Sequence, residues 1–166
     1  MSSPHGYGAA MDHELERLGR AIKQAQHRQH RAADAALNAI GTTLVQWDAL
    51  RAIAAVPGAS AHQLALATFQ TDQAFGTLAN RLEAQQLIVR KSGEGRRIEH
   101  RLSPKGEHVL AEGNIVTNRI RAELYASISK ADRRTLAALL HRILVDDVAA
   151  LDLPATNRKG RSKAAP

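Results

Sequence analysis

The chain of 166 residues reads as a mostly helical fold interrupted by one small β-hairpin. Three observations carry that reading. Hydrophobic residues make up 44% but aromatics only 3%, so the core is built from Ala, Leu, Ile and Val, as in helices packed on helices. Ser and Thr caps open segments whose apolar residues recur at three- and four-residue spacing. Only residues 87–102 show the β-prone run, turn cluster and alternation of a strand pair. The length suits one domain with a sizeable core.

Residues 1–11, with Pro4, Gly6 and Gly8, read as a disordered N-terminal tail. A long helix follows over residues 12–40, with Leu15, Leu18, Ile22, Ala25, Ala36, Leu37 and Ile40 roughly on one face. Residues 24–31 are too polar to pack deeply, and Gly41 is its stop. Thr43 caps a second helix with Leu44, Trp47, Leu50, Ile53 and Ala54 inward, ended by Pro57-Gly58. Ser60 and Gln63 make a capping box that opens a short helix to about Ala67. A brief turn at residues 68–70 leads to Thr71, the cap of a helix running to about Gln86 with Ala74, Phe75, Leu78 and Leu82 inward. Two helices joined by so tight a turn form a helix-turn-helix candidate.

Leu87-Ile88-Val89-Arg90-Lys91 is β-prone, and Ser92-Gly93-Glu94-Gly95 is a turn. The returning strand places Ile98, His100 and Leu102 on one face and Arg97, Glu99 and Arg101 on the other. Ser103-Pro104 restarts helix, which Val109, Val116, Ile120, Leu124 and Ile128 mark as long. Ser129 caps the last helix, whose stripe is Leu136, Leu139, Leu140, Ile143, Leu144, Val148 and Leu151. Residues 152–166 read as a basic disordered tail.

The net charge of +7 is concentrated rather than spread. Residues 88–106 hold six basic and two acidic groups, and residues 152–166 four and one, while the rest is near balance. Such patches suit an anionic partner, nucleic acid above all. The absence of cysteine excludes a disulfide scaffold, a Cys zinc site and a thiol switch. No apolar run is long enough to span a bilayer and no signal-peptide core is present, so a cytoplasmic, nucleoid-associated protein without a membrane partner is expected.

The second helix of a helix-turn-helix enters the major groove, where small and hydrogen-bonding side chains read base edges. Thr71, Gln73, Ala74, Gly76, Thr77, Asn80 and Arg81 form that set here. Arg96 and Arg97 at the hairpin tip suit a narrow minor groove, and Arg90 and Lys91 suit phosphates. Over residues 15–150 the chain resembles the MarR family of bacterial transcription regulators. The resemblance rests on Asn80-Arg81-Leu82-Glu83-Ala84-Gln85-Gln86-Leu87-Ile88, on Glu94-Gly95-Arg96, on Ser103-Pro104-Lys105-Gly106, and on Thr43 through Leu50. It implies a single domain over residues 12–151: dimerisation helices at 12–40 and 104–151 around a winged helix-turn-helix at 43–103. It also implies a homodimer on a pseudo-palindromic operator in double-stranded DNA; a ligand-responsive repressor, with a small-molecule effector as a further partner, is the expected function.

Some residues carry two readings. Trp47 is a core residue or, by analogy with the family, a wall of an effector pocket. His100 is a structural histidine or a sensor. His27, His30 and Asp34 share a face at metal-ligand spacing, but on the most polar stretch of the first helix, which favours a solvated face. No metal or cofactor is expected. No nucleophile elbow, phosphate loop or focused acid/base pair marks an enzyme. The remaining alternative is a winged-helix module that binds protein without sequence-specific DNA contact.

Overall fold

The computed structural model describes residues 6–93 and 98–145, and side chains from His13 onward. Among the described residues, six helices and one antiparallel strand pair follow in the order α1 (Gly6–Asn38), α2 (Leu44–Ala55), α3 (Ala61–Ala67), α4 (Asp72–Ala84), β1 (Ile88–Ser92), β2 (Ile98–Leu102), α5 (Pro104–Leu124) and α6 (Lys130–Val145). The mostly helical fold with a hairpin wing is therefore the one present. The described residues divide into two compact units, with the boundary between Leu124 and Tyr125.

In the first unit, α1 begins at Gly6 rather than at residue 12, so the stretch 6–11 is helical and not a tail. Helix formers Ala9, Ala10 and Met11 extend the helix backward despite two glycines. Residues 1–5, like the C-terminal stretch 146–166 with Val148 and Leu151, lie outside the described residues. Three chain reversals share one geometry. Gly41, Phe69 and Gln86 each take a left-handed φ (81°, 54° and 61°). At each, the next residue's N–H bonds back over one turn of helix: Thr42 to Leu37 O (3.1 Å), Gln70 to Ala65 O (2.8 Å) and Leu87 to Leu82 O (2.9 Å). This is the closing motif in which glycine is the usual residue. Phe69 and Gln86 each bear a backbone cost of about 1 kcal/mol that glycine would not.

The caps read from sequence are in place. Thr43 and Ser60 make reciprocal capping boxes with Gln46 and Gln63, and Thr71 Oγ1 accepts from Ala74 N (3.2 Å). One junction had no local signal: Asp34, near the end of α1, accepts from Leu44 N through Oδ1 (3.0 Å) and from Asn38 Nδ2 through Oδ2 (3.1 Å). Both its oxygens thus serve helix ends, and among the described residues no group of three ligating side chains is placed to hold a metal ion. The core runs through α2, α3, α4 and β1, with Leu50, Ile53, Leu64, Phe75, Leu82 and Ile88 fully buried. Ala74 is exposed and Ala79 is buried in its place, correcting the inward reading of Ala74. Four residues after Phe75, Ala79 stays on Phe75's inner side, while Ala74 lies one step round the helix.

β1 pairs with β2 from Ile88↔Leu102 to Ser92↔Ile98. His100 on β2 is buried and ties the hairpin to the loop between α2 and α3. Its backbone N donates to Ala59 O (3.3 Å), its carbonyl accepts from Gly58 N (2.9 Å), and its ring Nδ1 donates to Ala59 O (3.0 Å). The ring meets Phe75 edge-on, with centroids 6.0 Å apart. Burial pushes its pKa below the ordinary histidine value, so the fold favours the neutral ring. The unfolded chain then takes up a proton before the folded one. Stability is full above about pH 6.5 and falls on acidification, by up to about 1.4 kcal/mol per pH unit until the folded ring is protonated too. Urea melts from pH 8 to 5 should show this slope, and His100→Leu should flatten it. An unchanged slope in the variant would remove His100 as its source.

α5 ends at Leu124, so Ile128 falls beyond it. In the second unit, Ser129 Oγ accepts from Asp132 N (3.1 Å), capping α6 as its sequence indicates. No residue of α6 is buried, and Leu136, Leu139, Ile143 and Leu144 stand exposed. Among the described residues, no helix is long and apolar enough to cross a membrane.

Candidate nucleic-acid interface

The helix pair α3–α4 presents one polar face. Phe75, Leu78, Ala79 and Leu82 bury the inner side of α4, which turns Thr71, Gln73, Ala74, Thr77, Asn80 and Arg81 outward, all exposed. Gly76 is half-buried between them. Six of the residues singled out by sequence thus share the solvent side of one helix and its cap. Two of their polar groups are partly committed: Thr71 Oγ1 caps the helix, and Thr77 Oγ1 donates to Gln73 O (3.1 Å). What Thr77 offers outward is its methyl group, a partner for a thymine methyl. Gln73 and Asn80 offer amides able to read adenine bidentately.

Gly76 lies inside a 13-residue helix, where glycine is costly, and nothing lies within 4 Å of the position a Cβ would take. Packing does not require this glycine, whereas a surface approached closely by another molecule does. Gly76→Ala is therefore expected to raise stability by about 0.5–1 kcal/mol while weakening duplex binding. Thermal melting and a binding isotherm on the same preparation check both halves. A variant stabilised with undiminished binding would leave position 76 out of the contact surface.

The hairpin is fixed to this helix by a pair that the sequence reading missed. Arg90 Nε donates to Glu83 Oε2 (2.9 Å), and its Nη2 contacts the same oxygen. The hydrogen bond from Arg90 holds the Glu83 carboxyl below its ordinary pKa, partly opposed by desolvation, and the guanidinium is raised in turn. Arg90, expected near phosphates, is paired here with Glu83 and braces β1 against α4. Lys91, the next residue, points to the opposite face of the strand and is exposed. Arg96 and Arg97 lie outside the described residues. A second unexpected pair joins the starts of the two helices: His62 Nδ1 stands 3.0 Å from Asp72 Oδ1. Sequence separations of seven and ten, across a chain reversal, leave neither pair a periodic signature.

Trp47 is both core and cavity wall. It is buried, its indole N–H donates to Asn114 Oδ1 (3.1 Å), and a Cβ on Gly113 would stand 2.3 Å from its Cδ1. Its ring also faces a cavity of about 790 Å³ bounded by α1, α2, α5 and the turn between α3 and α4. Arg51 and Arg121 lie over that ring, 5.7 Å and 5.4 Å from its centroid.

Residues 40–98 match the sequence model of the MarR family. No curated protein matches the chain. Among solved structures, the chain is similar to a probable transcriptional regulator from Pseudomonas aeruginosa, with 28% identity, a TM-score of 0.67, and 75% of this chain and 95% of that one covered. It is similar in fold to a mutant MarR from E. coli complexed with operator DNA, with 19% identity, a TM-score of 0.73, and 79% and 96% covered. A likeness of fold also holds to a Mycobacterium tuberculosis MarR family protein in complex with salicylic acid, with 24% identity, a TM-score of 0.64, and 76% and 95% covered.

Proposed function

We propose, from the premise that this chain is a MarR family winged-helix protein, that it is a sequence-specific regulator of transcription acting as a homodimer on a pseudo-palindromic operator. The observation that carries the proposal is the outward face of α4, where Gln73, Thr77 and Asn80 stand exposed around a bare Gly76, beside a hairpin that lies in the larger of the chain's two basic segments. Base-reading side chains on a groove-sized helix, next to cations for phosphate and minor groove, divide the work as duplex recognition requires. The E. coli protein of like fold, complexed with operator DNA, supports duplex binding as the work of this fold.

The dimer is built from α1 and the C-terminal helices, residues of about 12–40 and 107–151. Leu15, Leu18 and Ile22 on α1, and Leu136, Ile143 and Leu144 on α6, are large apolar side chains left in solvent. Sedimentation at micromolar concentration should give about twice 18.0 kDa. A monomer that binds duplex fully would remove this part. The cavity beside Trp47, with the volume of a small-molecule site, is the effector site, and ligand binding there releases DNA, the behaviour of a repressor; that a protein of like fold is found in complex with salicylic acid supports a small-molecule effector. A protein working on the bacterial chromosome is cytoplasmic and nucleoid-associated.

The test is selection of bound duplexes from a random library by the full chain, followed by a salt titration on the winner. Two related half-sites about one helical turn apart are expected, with affinity falling steeply as salt rises. Enrichment of no sequence, with binding indifferent to salt, would move the chain to the protein-interaction reading.

A further inference from the structure

We propose that the outer side of α1 is a second duplex-binding surface: Arg17, Arg20, Arg28 and Arg31 hold the phosphate backbone of a DNA segment other than the operator, so that one dimer tethers two duplexes. This goes beyond the regulator reading above, which sets only α4 and the hairpin on DNA.

Residues 12–40 look balanced in the sequence, with five basic and four acidic groups. The helix sorts them. Leu15, Leu18, Ile22, Ala33 and Leu37 share one side of α1. Ala33 and Leu37 are buried in the protomer, which fixes that side inward. The opposite side carries Arg17, Arg20, Gln24, His27, Arg28 and Arg31 at three- and four-residue spacing, all exposed. No carboxylate falls among them. Glu16 lies at the edge and is bonded to Arg20 (2.7 Å), and Asp34 at the same edge is engaged with Leu44 N and Asn38. Arg17, Arg28 and Arg31 form no ion pair among the described residues. Arg17 and Arg20, like Arg28 and Arg31, are like-charge neighbours three residues apart, which weakens a helix on its own. The anion that offsets this repulsion comes from outside the protomer.

The stripe names its partner by what it lacks. From Arg17 to Arg31 it runs straight for about 21 Å, and no apolar side chain interrupts it. A protein partner needs an apolar or aromatic anchor at the centre of its interface. A lipid surface needs the apolar side of the helix, which Ala33 and Leu37 hold inside the protomer. A phosphate backbone needs neither: its row of acceptors takes guanidinium groups bidentately, with Gln24 and His27 as further donors between them. α1 packs on α2 and α5, whereas α3, α4 and the hairpin carry the interface described above, so the stripe is no extension of it. It also stays in solvent when Leu15, Leu18 and Ile22, on the other side of the helix, enter the dimer.

The experiment fixes the full chain to a sensor through a C-terminal tag, saturates it with the selected operator duplex, and then adds a random duplex. The parent should take up random duplex on top of the operator, with an affinity that falls steeply as salt rises. Arg17→Gln, Arg28→Gln and Arg31→Gln combined should leave the operator affinity and the sedimentation mass as in the parent. The same variant should take up the second duplex at least about tenfold more weakly, with a salt slope lower by about three units, one per cation removed. Lysine at the same three positions should keep most of the uptake, because the charge remains. No second duplex on the operator-saturated parent, or undiminished uptake by the glutamine variant, overturns the proposal. A fall in operator affinity in that variant would give the stripe to the flanks of the operator itself. Uptake of poly-glutamate or of phosphatidylglycerol vesicles in preference to duplex would give it to an acidic protein or a lipid surface; each of these overturns it. A parent that selects no operator overturns the regulator reading, and uptake of random duplex by the parent against the glutamine variant then judges the stripe by itself.

Discussion

Gly106→Ala is expected to cost about 3 kcal/mol or more, enough to remove a large part of the stability of a domain this size. A Cβ at this position would stand 1.9 Å from the carbonyl oxygen of Leu87 and 2.9 Å from its carbon, and those are backbone atoms. The same oxygen accepts from Ser103 N (3.1 Å). Ser103 Oγ donates to Gln86 O (2.6 Å) and accepts from Gly106 N (3.0 Å), while Lys105 Nζ donates to Gln85 O (2.9 Å). The first turn of α5 is thus locked onto the end of α4 and the start of β1 by three hydrogen bonds, with the fourth, Gly106 N to Ser103 Oγ, fixing the cap itself, and the backbone cannot retreat without breaking them. Chemical denaturation of the variant, with the midpoint lowered and the slope unchanged, would match this account. A variant within 1 kcal/mol of the parent would mean that the junction yields cheaply.

The second large effect separates reading from holding. Gln73→Ala removes an exposed amide from the outer face of α4. It should cost about 1–3 kcal/mol on the operator and little on random duplex, so the ratio of the two falls. Arg96→Ala removes a cation from the segment between the strands. It should weaken operator and random duplex together and lower the salt slope by about one unit per protomer engaged. The two changes lie on different elements, so the double variant should show roughly their sum. Parent-like operator binding by both, in a salt titration, would refute α4 and the hairpin as the surface that contacts DNA.

What could be read from the chain was whatever depends on neighbours three or four residues apart. The caps at Thr43, Ser60, Thr71, Ser103 and Ser129 are of this kind: a side-chain oxygen and an amide on the same helical turn need no knowledge of the rest of the fold. The outward set on α4 follows from the inward one by helical geometry, and misplacing Ala74 shows the limit, since alanine is at home on either side. The features that escaped join segments brought together by reversals. Arg90 looks like any strand arginine until β1 folds back on Glu83. Asp34 looks like half of a metal site until Leu44 presents its amide. Gly106 looks like an ordinary first-turn glycine until Leu87 O is set against it. In each case the partner is specified by tertiary packing, which no local period encodes.

The glycine inside α4 and the glutamine that ends it would answer differently to selection. A library of variants sorted for heat resistance alone would drive position 76 toward alanine, since the helix interior has room for it. The same sort would drive position 86, at a φ of 61°, toward glycine. Sorted for operator binding, the library would keep glycine at 76 and remain indifferent at 86. The pair thus records two pressures on one helix: at one end the chain has given up stability where a partner must come close, and at the other it has left some unclaimed.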